Sequence, residues 1–173
     1  MGDQVQVVGF AYASKIIYFD PSSTVVEIGT GTIDLERVRF TPGSLDDDEC
    51  YGELTQGTAG ESLAQWDLCY MKSDGKYWKA DANASTTMPG VVMATEAISA
   101  DATGTFLVRG WVRNDGWTGW TVGASSGILY ASGTAGAITQ TAPSGAGDQV
   151  QVVGWAYASK IIRFEPQLVI VEV

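Results

Sequence analysis

Three tryptophans lie close together in the segment GWVRNDGWTGW, residues 110–120, with Arg113, Asn114 and Asp115 between them. An indole face can stack on the apolar face of a sugar ring while neighbouring polar groups hydrogen-bond to its hydroxyls. Tryptophan is also a favoured anchor of protein interfaces. Trp111, Arg113, Asn114, Trp117 and Trp120 are therefore candidate ligand-binding residues for a carbohydrate or a receptor. Filling a sheet core or a subunit interface is the favoured reading of the same aromatics, with ligand binding the sharper alternative. Trp66 and Trp78 are expected to pack around a nearby hairpin.

The run Asp46, Asp47, Asp48 and Glu49 gathers hard oxygen donors of the kind calcium prefers. It lacks the spaced ligands and the glycine of an EF-hand loop, so a solvated acidic turn is the favoured reading and no metal is assigned. The chain contains no histidine, which removes Ser-His-Asp and Cys-His arrangements and histidine zinc sites. Cys50 and Cys69 alone cannot close a zinc site or form a disulfide framework; buried free thiols are expected. No phosphate-binding glycine loop is present. Glu27 and Glu172 sit in matched strands, but a glycosidase pair needs a placement the sequence does not give. No catalytic residue, enzyme activity or cofactor is assigned.

The net charge of −10 opposes binding to nucleic acid or anionic membranes. No apolar run approaches the roughly 18 residues of a membrane-spanning helix, and Met-Gly-Asp-Gln has no signal-peptide character. With 173 residues, 21 of them glycine, and many short apolar runs between glycine-containing breaks, the chain is expected to be all-β. Short antiparallel strands in hairpins would form a small barrel or sandwich.

Strands are expected at 4–8, 16–19, 24–28, 33–40, 51–56, 91–95, 105–112, 117–122 and 169–173, with a short helix as the alternative at 33–40. Hairpins are expected at 68–80, around Ser73-Asp74-Gly75, and at 127–141, around Gly133-Thr134-Ala135-Gly136. A faint repeat at an offset of about 60 residues relates Leu68-Cys69-Tyr70 and Val91–Ala94 to Ile128-Leu129-Tyr130 and Val152–Ala156.

A much stronger repeat joins the two ends. GDQVQVVGFAYASKIIYFDP, from Gly2 to Pro21, returns as GDQVQVVGWAYASKIIRFEP, from Gly147 to Pro166, 145 residues later. Only Phe10/Trp155, Tyr18/Arg163 and Asp20/Glu165 differ. Tyr12 and Lys15 recur as Tyr157 and Lys160 and are expected at the surface. Repetition this faithful points to an array or an assembly. Three segments follow: 2–28 as the first copy of closing strands, 29–66 as a connecting β segment, and 67–173 as a glycine-rich module ending in the second copy. Val5, Val7, Val150, Val152, Val169 and Val171 are the expected assembly residues, on strands that could pair with each other or exchange between subunits.

SDGKYWKADA, GTFLVRGWV and the stretch from Gly119 to Ala156, followed by IIRFEP, resemble the glycine-rich β modules of bacteriophage tail fibres and related virion proteins. They are similar also to small capsid-decoration proteins. The resemblance covers a little over half the chain, through Thr139–Pro143, Gly147–Ala156 and Ile162–Pro166. It implies an all-β homotrimer in a virion or extracellular setting, serving adhesion or particle stability, with no catalytic residues to carry over. Its partners would be copies of itself, other virion proteins, or a host-surface glycan or receptor. An engineered repeat scaffold is a further reading of the duplication.

Overall fold

Glycine-punctuated apolar runs of four to eight residues are too short for helices that bury a face, but long enough for strands. The computed structural model describes residues 9–12, 16–19, 25–27 and 41–173 and is almost entirely antiparallel β. The chain divides into two units, Met1–Phe40 and Thr41–Val173.

In the first unit, β1 (Gly9–Tyr12), β2 (Ile16–Phe19) and β3 (Val25–Glu27) form an antiparallel sheet in that order. The expected strands at 4–8 and 33–40, with Val5 and Val7, lie outside the described residues.

The second unit holds β4 (Cys50–Thr58), β5 (Leu68–Met71), β6 (Tyr77–Lys79), β7 (Val92–Ala94), β8 (Thr103–Arg113), β9 (Ile128–Ala131), β10 (Ile138–Thr139), β11 (Gln149–Val150), β12 (Val152–Ala158), β13 (Ile161–Phe164) and β14 (Val171–Glu172). Nine of them form one sheet in the order β10-β9-β12-β13-β8-β7-β5-β6, with β4 on the other edge of β8. The order is two four-strand halves, β10-β9-β12-β13 and β6-β5-β7-β8, joined where β13 meets β8. The faint 60-residue repeat in the sequence corresponds to these halves.

The long strand β8 organises the sheet. Its residues 110–113 pair with β13, while Phe106 and Leu107 pair with β7. The two wings curl so that their far ends meet: Leu68 N–H donates to Gly136 O at 2.7 Å, Gly136 N–H to Ala80 O at 2.8 Å and Gln149 N–H to Ala82 O at 2.7 Å. Leu68, Met93, Leu107, Val112, Leu129, Val153, Ile162 and Phe164 fill the space between them. A smaller cluster around Phe106, Val92, Ile98 and Leu63 extends the core. Among the described residues, no helix is long and apolar enough to cross a membrane.

Residues 41–66 join the same sheet and cores as 67–173: β4 pairs along the whole length of β8, and Ala59, Leu63 and Trp66 enter the two cores. Two sequence expectations change. Residues 117–122 are a loop. Gly119 (φ 116°) and Gly123 (φ 155°) turn the chain there, and the amide of Trp120 bonds to Ser159 O rather than to a strand. The strand expected at 169–173 is shorter and is paired within the chain, since Val150 faces Val171 and Gln149 faces Glu172.

Candidate functional site

Residues directly paired across antiparallel strands share a face. Trp155 pairs with Arg163, Arg163 with Trp111, and Trp111 with Tyr51. One row therefore crosses β12, β13, β8 and β4, spanning three inter-strand steps or roughly 14 Å. Alternation sends the adjoining Ala156, Ile162 and Val112 into the core. The row itself is on the outer face: Tyr51 is 50 % exposed and Trp155 44 %.

Tyr157, two residues after Trp155 and beside a register shift between Ala156 and Ala158, lies on the same face. Its ring meets Trp111 edge-on at 5.2 Å between centroids, and the Arg163 guanidinium lies 5.4 Å from the Trp111 ring centre. The ion pairs Arg163–Glu165 and Arg109–Glu53 border the row at 3.3 and 2.9 Å. The result is an aromatic strip with charged hydrogen-bonding groups beside it, suited to flat, partly apolar ligands or to another protein surface.

Of the five ligand-binding candidates, only Trp111 belongs to this strip. Trp117 and Trp120 meet edge-on at 5.4 Å and lean on the main core. The buried indole N–H of Trp120 finds no acceptor among the described residues. Arg113 is spent on structure: Nε and Nη2 clasp both oxygens of Asp115 at 3.0 and 2.8 Å, and Nη1 donates to Leu45 O at 2.8 Å. That clasp holds the Asp115 carboxyl below the usual aspartate range. Asn114 Oδ1 accepts from Gly116 N–H at 2.6 Å and shapes the turn.

Lys160 explains why this loop holds its place. The side chain is half-buried, not a free surface lysine, and its ammonium donates to the carbonyls of Asp115 (2.9 Å) and Trp117. Asn114 N–H donates to Lys160 O and Trp120 N–H to Ser159 O. The turn between β12 and β13 thus clamps the tryptophan loop.

The acidic residues also work locally. Asp47 Oδ1 accepts from the backbone of Asp48 and of Asp115, at 2.9 and 2.6 Å. Glu49 accepts from Asp46 N–H at 3.0 Å, and Asp48 Oδ1 accepts from the Trp66 indole at 3.4 Å. This turn braces the start of β4 against the 113–116 loop. Among the described residues, no three cysteine, aspartate or glutamate side chains gather as metal ligands. Cys50 and Cys69 are free thiols. Burial, with Asp67 and Glu61 nearby, pushes Cys69 up to about 12, and burial followed by the Glu49 charge raises Cys50.

The described residues line two surface hollows, among others. One of about 500 Å³ is lined by Tyr70, Met71, Lys72, Ser73, Thr86, Thr87 and Met88. The other, about 370 Å³, lies among Val91, Val108, Arg109, Glu165 and Leu168. The first holds no carboxylate, and the second brings together one oppositely charged pair with no nucleophile.

Of the expected assembly residues, Val152 is half-buried in β12, whereas Val169 and Val171 are 74 % and 61 % exposed, beside exposed Leu168 and Val173. The aromatic strip escaped the sequence reading because its members are far apart in the chain; only strand register joins them. No protein-family model matches the chain, and no curated protein sequence matches it.

Proposed function

We propose that this chain is a non-catalytic structural module of a virus particle or tail fibre that assembles with copies of itself, as a trimer. The observation carrying this reading is the recurrence of one hairpin at both ends. Phe10 pairs with Tyr18 as Trp155 pairs with Arg163, Ala11 with Ile17 as Ala156 with Ile162, and Gly9 with Phe19 as Gly154 with Phe164. A repeated unit with a repeated register is what an array or a particle coat uses. The exposed apolar residues Leu168, Val169, Val171 and Val173 add surface that association would cover. The virion setting rests on the sequence resemblance. Light scattering over a hundredfold concentration range tests the assembly: a mass of three chains is expected, and a single-chain mass throughout refutes it.

A second reading is a carbohydrate- or receptor-binding module, and the aromatic strip favours it. Tyr51, Trp111, Trp155 and Tyr157 replace the contiguous tryptophan cluster as its binding residues. Tryptophan-fluorescence titration against a glycan panel tests it, with Trp155→Ala expected to lose binding while Trp117→Ala keeps it. No response to any glycan, or equal binding by both variants, counts against it.

A further inference from the structure

The two copies of the repeat differ at three positions, and the structure of the second copy shows what kind of positions they are. In the C-terminal copy, Gln149, Gln151, Val153, Ala156, Ile161, Ile162 and Phe164 are at most 7 % exposed. Their counterparts, Gln4, Gln6, Val8, Ala11, Ile16, Ile17 and Phe19, are identical. The differences fall on Trp155, which is exposed, and on the half-buried Arg163 and Glu165 at the outer face. Each of these buried residues, with which the closing hairpin fills its slot between β9 and β8, is therefore present a second time.

The ladders carry the same message. Against β13, residues 111–113 of β8 pair as Arg163↔Trp111, Ile162↔Val112 and Ile161↔Arg113. Against β2, β3 pairs as Tyr18↔Val25, Ile17↔Val26 and Ile16↔Glu27. Shifted by 145 residues, these are the same three positions of the hairpin. A short strand, Val25–Glu27, thus occupies the ladder that β8 takes in the complete module. The first unit has no described counterpart of β9 on the other side of its hairpin.

We propose that β1 and β2 form a transferable closing hairpin that enters the β9–β8 slot of a second copy of this chain. This inference deepens the assembly reading above. Each chain contains one slot and two segments that match it, and its own C-terminal hairpin fills its own slot. Transfer between chains needs Val25–Glu27 to leave β2 and the resident hairpin to leave the slot. Exchange of identical elements between protomers is an economical route to assembly because the contacts are already optimised.

The test uses the full chain. Phe164→Asp places a carboxylate in the core and expels the resident hairpin. If the β1–β2 hairpin closes the slot of a second copy, the Phe164→Asp chain keeps its near-ultraviolet circular dichroism, whereas Phe164→Asp combined with Phe19→Asp loses it. Phe19→Asp alone leaves the second unit's melting unchanged. A differential disulfide reports the transfer directly. Two chains of different length, both Phe164→Asp, carry Tyr18→Cys and Trp111→Cys respectively. Because the counterpart of Tyr18 is paired with Trp111, the two cysteines would lie within disulfide reach. A mixed disulfide that needs both engineered cysteines is expected.

Equal unfolding of the single and double aspartate variants overturns the inference. So does a folded double variant, or a folded Phe164→Asp chain without the mixed disulfide, which would mean closure within one chain. A single-chain mass for the wild type refutes assembly but leaves this comparison decisive, so the two failures are distinguishable.

Discussion

Gln151 holds Gly90 by both ends of its side-chain amide. Its Nε2 donates to Gly90 O and its Oε1 accepts from Gly90 N–H, each at 2.8 Å, and Nε2 also donates to Gln167 O at 2.6 Å. The glutamine is fully buried. It acts as a short piece of strand, tying the segment before β7 to β12 and to the chain leaving β13. The position tolerates little: a Cβ on Gly90 would come within 2.7 Å of the Leu68 side chain. Gln151→Leu keeps the bulk but strands a buried donor and acceptor, each worth about 1–3 kcal/mol when unsatisfied. A loss of roughly 3 kcal/mol in urea unfolding is expected. Wild-type stability in this variant would show that the amide contacts contribute nothing net.

Gly52 and Gly110 face each other across β4 and β8 in nearly bare backbone contact. A Cβ on Gly52 would lie 2.2 Å from Arg109 O and 2.6 Å from Gly110 Cα; one on Gly110 would lie 2.3 Å from Tyr51 O. Neither obstacle is a side chain that can swing away. Gly110→Ala is expected to loosen β4 and to destabilise by about 1–3 kcal/mol, the usual range for overpacking. Amide hydrogen exchange should localise the effect to residues 50–54. Unchanged exchange there would mean that the sheet absorbs the methyl by shifting.

Both relationships show what kind of information the sequence held. The strands at 16–19 and 105–112 and the Asp74-Gly75 hairpin were legible because apolar alternation and a turn needing positive φ are local signals; Gly75 has φ 77°. Trp117 and Trp120 read as a strand because aromatic and threonine residues favour strands, yet two glycines and the core's demand for indole area made that stretch a loop. The grouping of Tyr51, Trp111, Trp155 and Tyr157 depends on register across four strands, which no local pattern encodes. The role of Lys160 was hidden for a similar reason, because its acceptors are carbonyls, and every residue has one.

Lys160 gives the third prediction. Its ammonium bridges the carbonyls of Asp115 and Trp117, and hydrogen bonds to a charged group contribute about 1.5–3 kcal/mol. Lys160→Met retains the stem and removes the charge. A loss of about 2 kcal/mol is expected, with a red shift of tryptophan emission as Trp117 and Trp120 gain access to water. Emission at the wild-type wavelength would mean that backbone bonds such as Trp120 N–H to Ser159 O suffice to hold the loop.

Cys69 supplies a prediction for alkaline pH. Its fully buried thiol donates weakly to Asp67 O at 3.4 Å, and its pKa rises from 9.0 to about 12. The folded chain therefore keeps this proton over a range in which the unfolded chain releases it. Stability from this group is complete below pH 9 and is lost as pH rises toward about 12, because the native state binds more protons there. Urea unfolding at pH 8, 9.5 and 10.5 should show a fall that is shallower in Cys69→Ala than in the wild type. The thiolate is the reactive form, so native Cys69 should resist iodoacetamide at pH 8, with the half-buried Cys50 reacting first and both reacting in denaturant. Equal pH slopes for wild type and variant, or rapid native alkylation of Cys69, would place the thiol in contact with solvent and contradict its packing beside Phe106 and Val92.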